Sequence, residues 1–125
     1  MIYVLLGIII ALFGYGLYNF FYQKKVLTAL TQEEFIKGYR KAQLIDVREP
    51  NEFESGHILG ARNIPLSQLK MRLKEIRADK PVYLYDQTGS RSGRAAIILH
   101  KKGYNQLFYL KGGFKKWTGK IKVGK

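Results

Sequence analysis

The residues that could do chemistry concentrate in Tyr85 to Gly93, "YDQTGSRSG". The stretch follows an apolar run, "PVYLY", and precedes an amphipathic one, "RAAIILHKKG". A strand that ends in a tight turn and enters a helix aims several backbone N–H groups at one point. The helix dipole adds positive character there, and Arg91 and Arg94 add full charges. Such a turn suits an anion, yet a carboxylate, Asp86, stands at its mouth. The turn is neither a Walker loop nor a dinucleotide fingerprint. It lacks the Gly-Lys-Ser/Thr ending of the first and the G-x-G-x-x-G of the second.

Asp86 could itself be a nucleophile, but aspartyl nucleophiles work with a metal held by further carboxylates. The nearest acid in sequence, Asp79, precedes the strand, and Asp46 belongs to another strand. Ser90 and Ser92 have no recognisable base beside them and read as hydrogen-bonders at the helix start. No cysteine occurs in the 125 residues, which excludes disulfides, Cys-ligated zinc, iron–sulfur clusters and thiol catalysis by this chain. Neither a metal nor another cofactor is expected.

The loop needs a scaffold, and the flanking pattern supplies one. Thr31 and Glu34 have capping-box spacing, with Phe35, Ile36 and Tyr39 directed to a core. Gln43 to Val47 reads as a buried strand. "EPNEFESG" reads as a short helix, with Pro50 at its first position and Gly56 at its stop. Ala61 to Ile64 is a short strand. Ser67 is placed to cap a helix in which Leu66, Leu69, Leu73 and Ile76 recur at helical spacing. Val82 to Tyr85 is the strand before the loop. Residues 91–102 form a helix with Ala95, Ala96, Ile98 and Leu99 inward, closed by Gly103. Leu107 to Leu110 is a last strand, and "KGGFKKW" a last short helix. Alternating strands and helices predict an α/β fold, a mostly parallel sheet of roughly five strands between helical layers. Ligands in such folds gather at the C-terminal ends of the strands, where the 86–91 turn lies.

The first 22 residues, "MIYVLLGIIIALFGYGLYNFFY", carry no charge. As a helix they would reach about 33 Å, enough for a hydrocarbon core of about 30 Å, and Tyr15, Tyr18 and Tyr22 suit an interface. A cleaved signal peptide fits less well, because no Lys or Arg precedes the apolar run and no small-residue cleavage site follows it. All 22 Lys and Arg follow this segment, starting with Lys24 and Lys25. The positive-inside rule then places the N-terminus outside and the rest in the cytoplasm, as a single-pass protein of the cell membrane. The expected organisation is an anchor over 1–22, a juxtamembrane linker over 23–27, a globular domain over 28–118 and a basic tail over 119–125. A net charge of +13 favours anionic lipid headgroups as a partner, with the tail "KKWTGKIKVGK" as one contact surface. No aromatic-interleaved motif supports nucleic acid.

Three segments together resemble the rhodanese-like domain family. "LIDVREPNEFESGHILGARNIPLSQL" resembles its N-terminal signature, "VYLYDQTGSRSGRAA" its active-site strand, loop and helix, and "YLKGGFKKW" its closing segment. The resemblance covers roughly residues 27–118 and implies a rhodanese-like three-layer sandwich. It also implies sulfur transfer, in which a loop cysteine carries sulfane sulfur as a persulfide from a donor such as thiosulfate. In that pattern the loop begins with cysteine and ends in arginine. Here it reads Asp86, Gln87, Thr88, Gly89, Ser90, Arg91, so Arg91 matches and Asp86 replaces the cysteine. Asp46, Arg48 and His57 match the family's Asp-Val-Arg and His positions. Asp46 and Arg48 read as an ion pair fixing the loops, and His57 as a turn-stabilising residue.

A carboxylate cannot form a persulfide. The expected function is therefore a membrane-anchored, catalytically inactive rhodanese-like protein that binds or regulates a protein partner. Two alternatives stay open: a sulfurtransferase working with a partner's cysteine, and a surface for anionic lipid or another polyanion. Asp86 is expected to fill the loop itself, accepting from loop N–H groups and pairing with Arg91.

Overall fold

In the computed structural model the backbone is assigned throughout, and side chains are described for residues 1–18 and 27–125. The chain opens with helix α1 (Ile2–Val26). The described apolar side chains of α1 are exposed, from Ile2 at 71 % to Tyr18 at 64 %. Among the described residues no helix is long and apolar enough to cross a membrane. The described part of α1, residues 2–18, reaches about 26 Å, short of the roughly 30 Å required. Of the expected linker 23–27, only Leu27 falls within the described side chains, and it is buried.

Strand β1 (Thr28–Leu30) leads into α2 (Gln32–Gly38). The capping box forms as expected: the Glu34 N–H donates to Thr31 Oγ1 at 3.3 Å, and the Thr31 N–H donates to Glu34 Oε1 at 3.2 Å. Phe35 and Tyr39 are buried, but Ile36, expected inward, is 46 % exposed. A helix of this length turns only one narrow stripe to the sheet. Next come β2 (Gln43–Asp46), α3 (Pro50–Ser55), β3 (His57–Ile58), β4 (Arg62–Asn63) and β5 (Val82–Tyr85), followed by α4 (Ser90–Lys101), β6 (Leu107–Leu110) and β7 (Ile121–Lys122).

The segment after β4 is not the expected α-helix. It forms two 3-10 turns, Leu66–Met71 and Leu73–Glu75, entered from Pro65 rather than capped by Ser67. The Tyr104 hydroxyl draws the Leu73 and Ile76 carbonyls toward itself, at 2.9 and 2.6 Å. The spacing of apolar residues still marked the inner face, since Leu69 and Ile76 are buried.

Five strands form one sheet in the order β1-β6-β5-β2-β4, and every pairing in it is parallel. Alternation along the strands divides the core. Ile45, Val82 and Leu84 pack with Ala95, Ala96 and Leu99 of α4, whereas Leu44, Tyr85 and Leu110 pack with Phe35 and Tyr39 of α2. Helices on both faces give three layers. The basic tail is not a free segment. Within it β7 pairs antiparallel with β3, and the Gly124 N–H donates to the Glu54 carbonyl at 2.8 Å.

Candidate active-site loop

The loop Asp86–Arg91 leaves the C-terminal end of β5, near the middle of the sheet, and enters α4. Gly89 makes the turn at φ +114°, a left-handed conformation that favours glycine. The segment after β6 ties the loop down. The Phe114 N–H donates to the Asp86 carbonyl at 2.8 Å, and the Lys115 N–H donates to the Gln87 carbonyl at 3.2 Å. This approach requires Gly113, at φ +68°, because a Cβ there would run into the Gln87 carbonyl. Thr88 and Ser90 face solvent, and Gln87 is half-buried.

Asp86 is buried. Its Oδ2 accepts from the Arg91 backbone N–H at 2.9 Å, and its Oδ1 accepts from the Ser92 hydroxyl at 2.8 Å. The carboxylate thus lies inside the anion-holding turn and takes donors from the first turn of α4, as an N-cap acid does. Ser92 is the helix-start hydrogen-bonder the sequence suggested. The Arg91 guanidinium, expected on Asp86, instead holds Glu52 Oε1 of α3 at 2.7 Å. The hydrogen bond from Arg91 holds the Glu52 carboxyl below its usual range, against a weaker opposing effect of burial. Arg91 turns away because Asp86 already has donors beneath the loop, while Glu52 offers an acceptor at the surface. Arg94 is exposed, one turn further along α4.

The supporting residues form a buried relay. Arg48 Nη2 lies 2.8 Å from Asp46 Oδ2, with both side chains almost fully buried. Arg48 Nε also contacts both Asp46 oxygens at 3.1 Å, and Nη2 donates to the Gly56 carbonyl at 2.7 Å. Its Nη1 reaches Gln87 Oε1 at 3.3 Å, which links the pair to the loop. The guanidinium lies 4.4 Å from the Phe114 ring centroid, a cation–π distance. Burial opposes the Arg48 charge, but the hydrogen bonds and charge of Asp46 outweigh it, so its pKa moves up. Beneath the relay, burial first and the Asp46 charge second push the Tyr85 phenol far above its ordinary range. The phenol oxygen accepts from the Ile58 N–H at 3.0 Å.

His57 is not in contact with the Asp86 carboxylate. Its ring stacks on Phe53 with centroids 3.6 Å apart, and Nδ1 lies 2.8 Å from the Phe53 carbonyl. A carbonyl only accepts, so Nδ1 carries the proton and the ring is committed to α3. Sequence reasoning missed Glu52 and the Phe114 and Lys115 N–H groups. Glu52 could have been found as the acid in the first turn of a helix beside the loop, and the clamp from the paired Gly112-Gly113. Among the described residues no group of three His, Cys, Asp or Glu side chains is placed to hold a metal.

Open grooves lie elsewhere among the described residues. One of about 400 Å³ is lined by Tyr39, Arg40, Ala42, Leu44, Leu59 and Gly60. Another of about 440 Å³ includes Ile36, Tyr39, Arg40 and Trp117.

Comparison with known proteins agrees with this architecture. The rhodanese-like domain family matches residues 31–120. The protein YqhL of Bacillus subtilis (strain 168) is 63 % identical over 98 % of this chain and 97 % of its own length. A sulfurtransferase of Allochromatium vinosum is 35 % identical over 60 % of this chain and 70 % of its own. The crystal structure of a rhodanese-related protein from Thermoplasma volcanium superposes with a TM-score of 0.71 at 26 % identity. It covers 77 % of this chain and 98 % of that one. The family match spans most of the chain, and the chain belongs to the rhodanese-like domain family.

Proposed function

We propose that this chain is a membrane-anchored rhodanese-like protein whose own loop does not transfer sulfur and which binds or regulates a protein partner. One observation carries the reading. The buried Asp86 carboxylate fills the place of an attacking sulfur and takes the Arg91 N–H and the Ser92 hydroxyl for itself. A carboxylate oxygen is hard and cannot form the sulfur–sulfur bond of a persulfide. The name of the Allochromatium relative favours sulfur transfer, and that chemistry here would require a partner's cysteine.

The anchor reading rests on the uncharged first 22 residues and on a helix of 25 residues, about 37 Å long. It rests also on the exposed apolar side chains of that helix. The bias of Lys and Arg to its C-terminal side puts the domain in the cytoplasm.

The test is turnover of thiosulfate and cyanide by the full chain in detergent, wild type beside Asp86→Cys. The wild type is expected to be silent and the cysteine variant active, because the turn, Arg91 N–H and Ser92 hydroxyl remain in place. Turnover by the wild type alone in solution refutes the inactive reading. Silence of both means the pocket as well as the nucleophile has changed.

A further inference from the structure

We infer that the end of the sheet opposite the loop is a docking surface for an anionic bilayer, which holds the loop facing away from the membrane. This rests on the anchor reading above. The five parallel strands all begin at one pole and end at the other. The loop Asp86–Arg91 lies at the pole where they end. The chain reaches β1 from α1 at the pole where they begin, and Leu27 is fixed there in the core cluster with Leu99, Tyr104 and Leu107. If α1 spans the bilayer, a buried Leu27 leaves little free chain between membrane and domain, and this pole faces the headgroups.

The charges at that pole fit such a neighbour. The segments that lead into β2, β5 and β6 present Arg40, Lys41, Lys80, Lys101 and Lys102, all exposed. They come from separate stretches of sequence, and only the parallel topology gathers them. Two acids near this end are already neutralised: Asp79 pairs with Arg77 at 2.7 Å and Glu75 with Arg72 at 2.6 Å. The opposite pole mixes signs, since Glu33, Glu34, Glu49 and Glu52 follow the strand ends there. Each cation near an anionic surface strengthens association by about fivefold. The strands separate the two poles by about 13 Å, beyond a Debye length of about 8 Å. A docked pole therefore keeps the exposed residues of the loop, Thr88 and Ser90, open to a protein partner.

The chain has no cysteine, so single labels report unambiguously. Fluorophores on Asn105→Cys at the start pole and Thr88→Cys at the loop pole are compared in full-length protein reconstituted into vesicles carrying headgroup nitroxide quenchers. The Asn105 label is expected to be quenched at least about twofold more with about 30 % phosphatidylserine than in phosphatidylcholine alone. The difference should vanish at about 0.5 M salt or on charge reversal of Lys41, Lys80, Lys101 and Lys102 to Glu. The Thr88 label should stay unquenched throughout. Equal quenching in both lipids, or stronger quenching at Thr88, overturns the docking inference while leaving the anchor intact. Loss of the chain from vesicles on alkaline carbonate washing sinks the anchor reading instead. In that event flotation of the full chain with the same anionic vesicles decides the docking surface. Salt-sensitive flotation that charge reversal abolishes upholds it, and flotation indifferent to charge reversal overturns it.

Discussion

Arg48→Met should be among the most damaging single substitutions in this domain. Arg48 contributes the Nε and Nη2 bonds to Asp46 at 2.8 to 3.1 Å and the bond to the Gly56 carbonyl at 2.7 Å. Methionine retains the volume and the contact with Phe114 but supplies no donor. Asp46, fully buried, would keep the Arg48 backbone N–H at 2.8 Å but lose every guanidinium donor. Orphaning one member of a buried ion pair costs about 3–5 kcal/mol. For a domain of this size that lowers Tm by about 12–40 °C. The assay is thermal and urea unfolding of the full chain in a fixed detergent, followed by far-UV circular dichroism. The double variant Asp46→Asn/Arg48→Met removes the stranded charge as well, so a double-mutant cycle should show a coupling of about 2–3 kcal/mol. A loss below about 1 kcal/mol for Arg48→Met, or a cycle that is additive, would refute the view that this pair locks the loop to the domain.

Tyr85→Phe should cost about 1–3 kcal/mol, because it strands the buried Ile58 N–H that the phenol now accepts; urea midpoints measure this. In a spectrophotometric titration of the native protein, Tyr85 should stay protonated well above the ordinary phenol range, because burial opposes its charge, and Tyr85→Phe should leave that native curve unchanged. Gly113→Ala should cost at least about 2 kcal/mol, since φ is +68° and its Cβ would strike the Gln87 carbonyl; unfolding of the variant decides it. The Glu52 carboxyl is depressed by Arg91, so its contribution is present above the unfolded value of about 4.3 and is lost as pH falls through the lower folded value. Arg91→Ala should remove that acid-side component of the stability profile while costing less than about 1 kcal/mol at neutral pH, because the pair is partly exposed.

Much of this architecture was legible because local signals and burial agree. The capping box at Thr31, the strand before the loop and the apolar stripe of α4 each follow from side chains that act on their own neighbourhood. The misreadings share a different cause. The 66–76 segment has helical spacing, but a hydroxyl from Tyr104, 28 residues beyond Ile76, captures its carbonyls. The pairing of the basic tail went unread because its partner is a two-residue strand too short to carry any pattern. Within the site, the resemblance located the loop and its supporting pair, yet it could not show where Arg91 points. That depends on competition between Asp86 and Glu52 for one guanidinium, which is settled by the packing of α3 against the loop.

The same competition explains how the scaffold tolerates an acid at its centre. A charged group in the loop needs donors more than it needs space. Asp86 finds a backbone N–H and a hydroxyl at the start of α4 without moving Arg91, and the positive end of that helix favours its charge. The outer face then gains an Arg91–Glu52 bridge at 2.7 Å. Charge balance around the loop is thus kept by two separate pairs, Asp46–Arg48 below and Glu52–Arg91 above. The turn between them is held by the clamp from Phe114 and Lys115. Asp86→Cys would replace the carboxylate with a thiol near the same donors, which lower a thiol's pKa as they stabilise any anion. Restored sulfur transfer by that one substitution would show that the site has kept its geometry while the chain gave up its nucleophile.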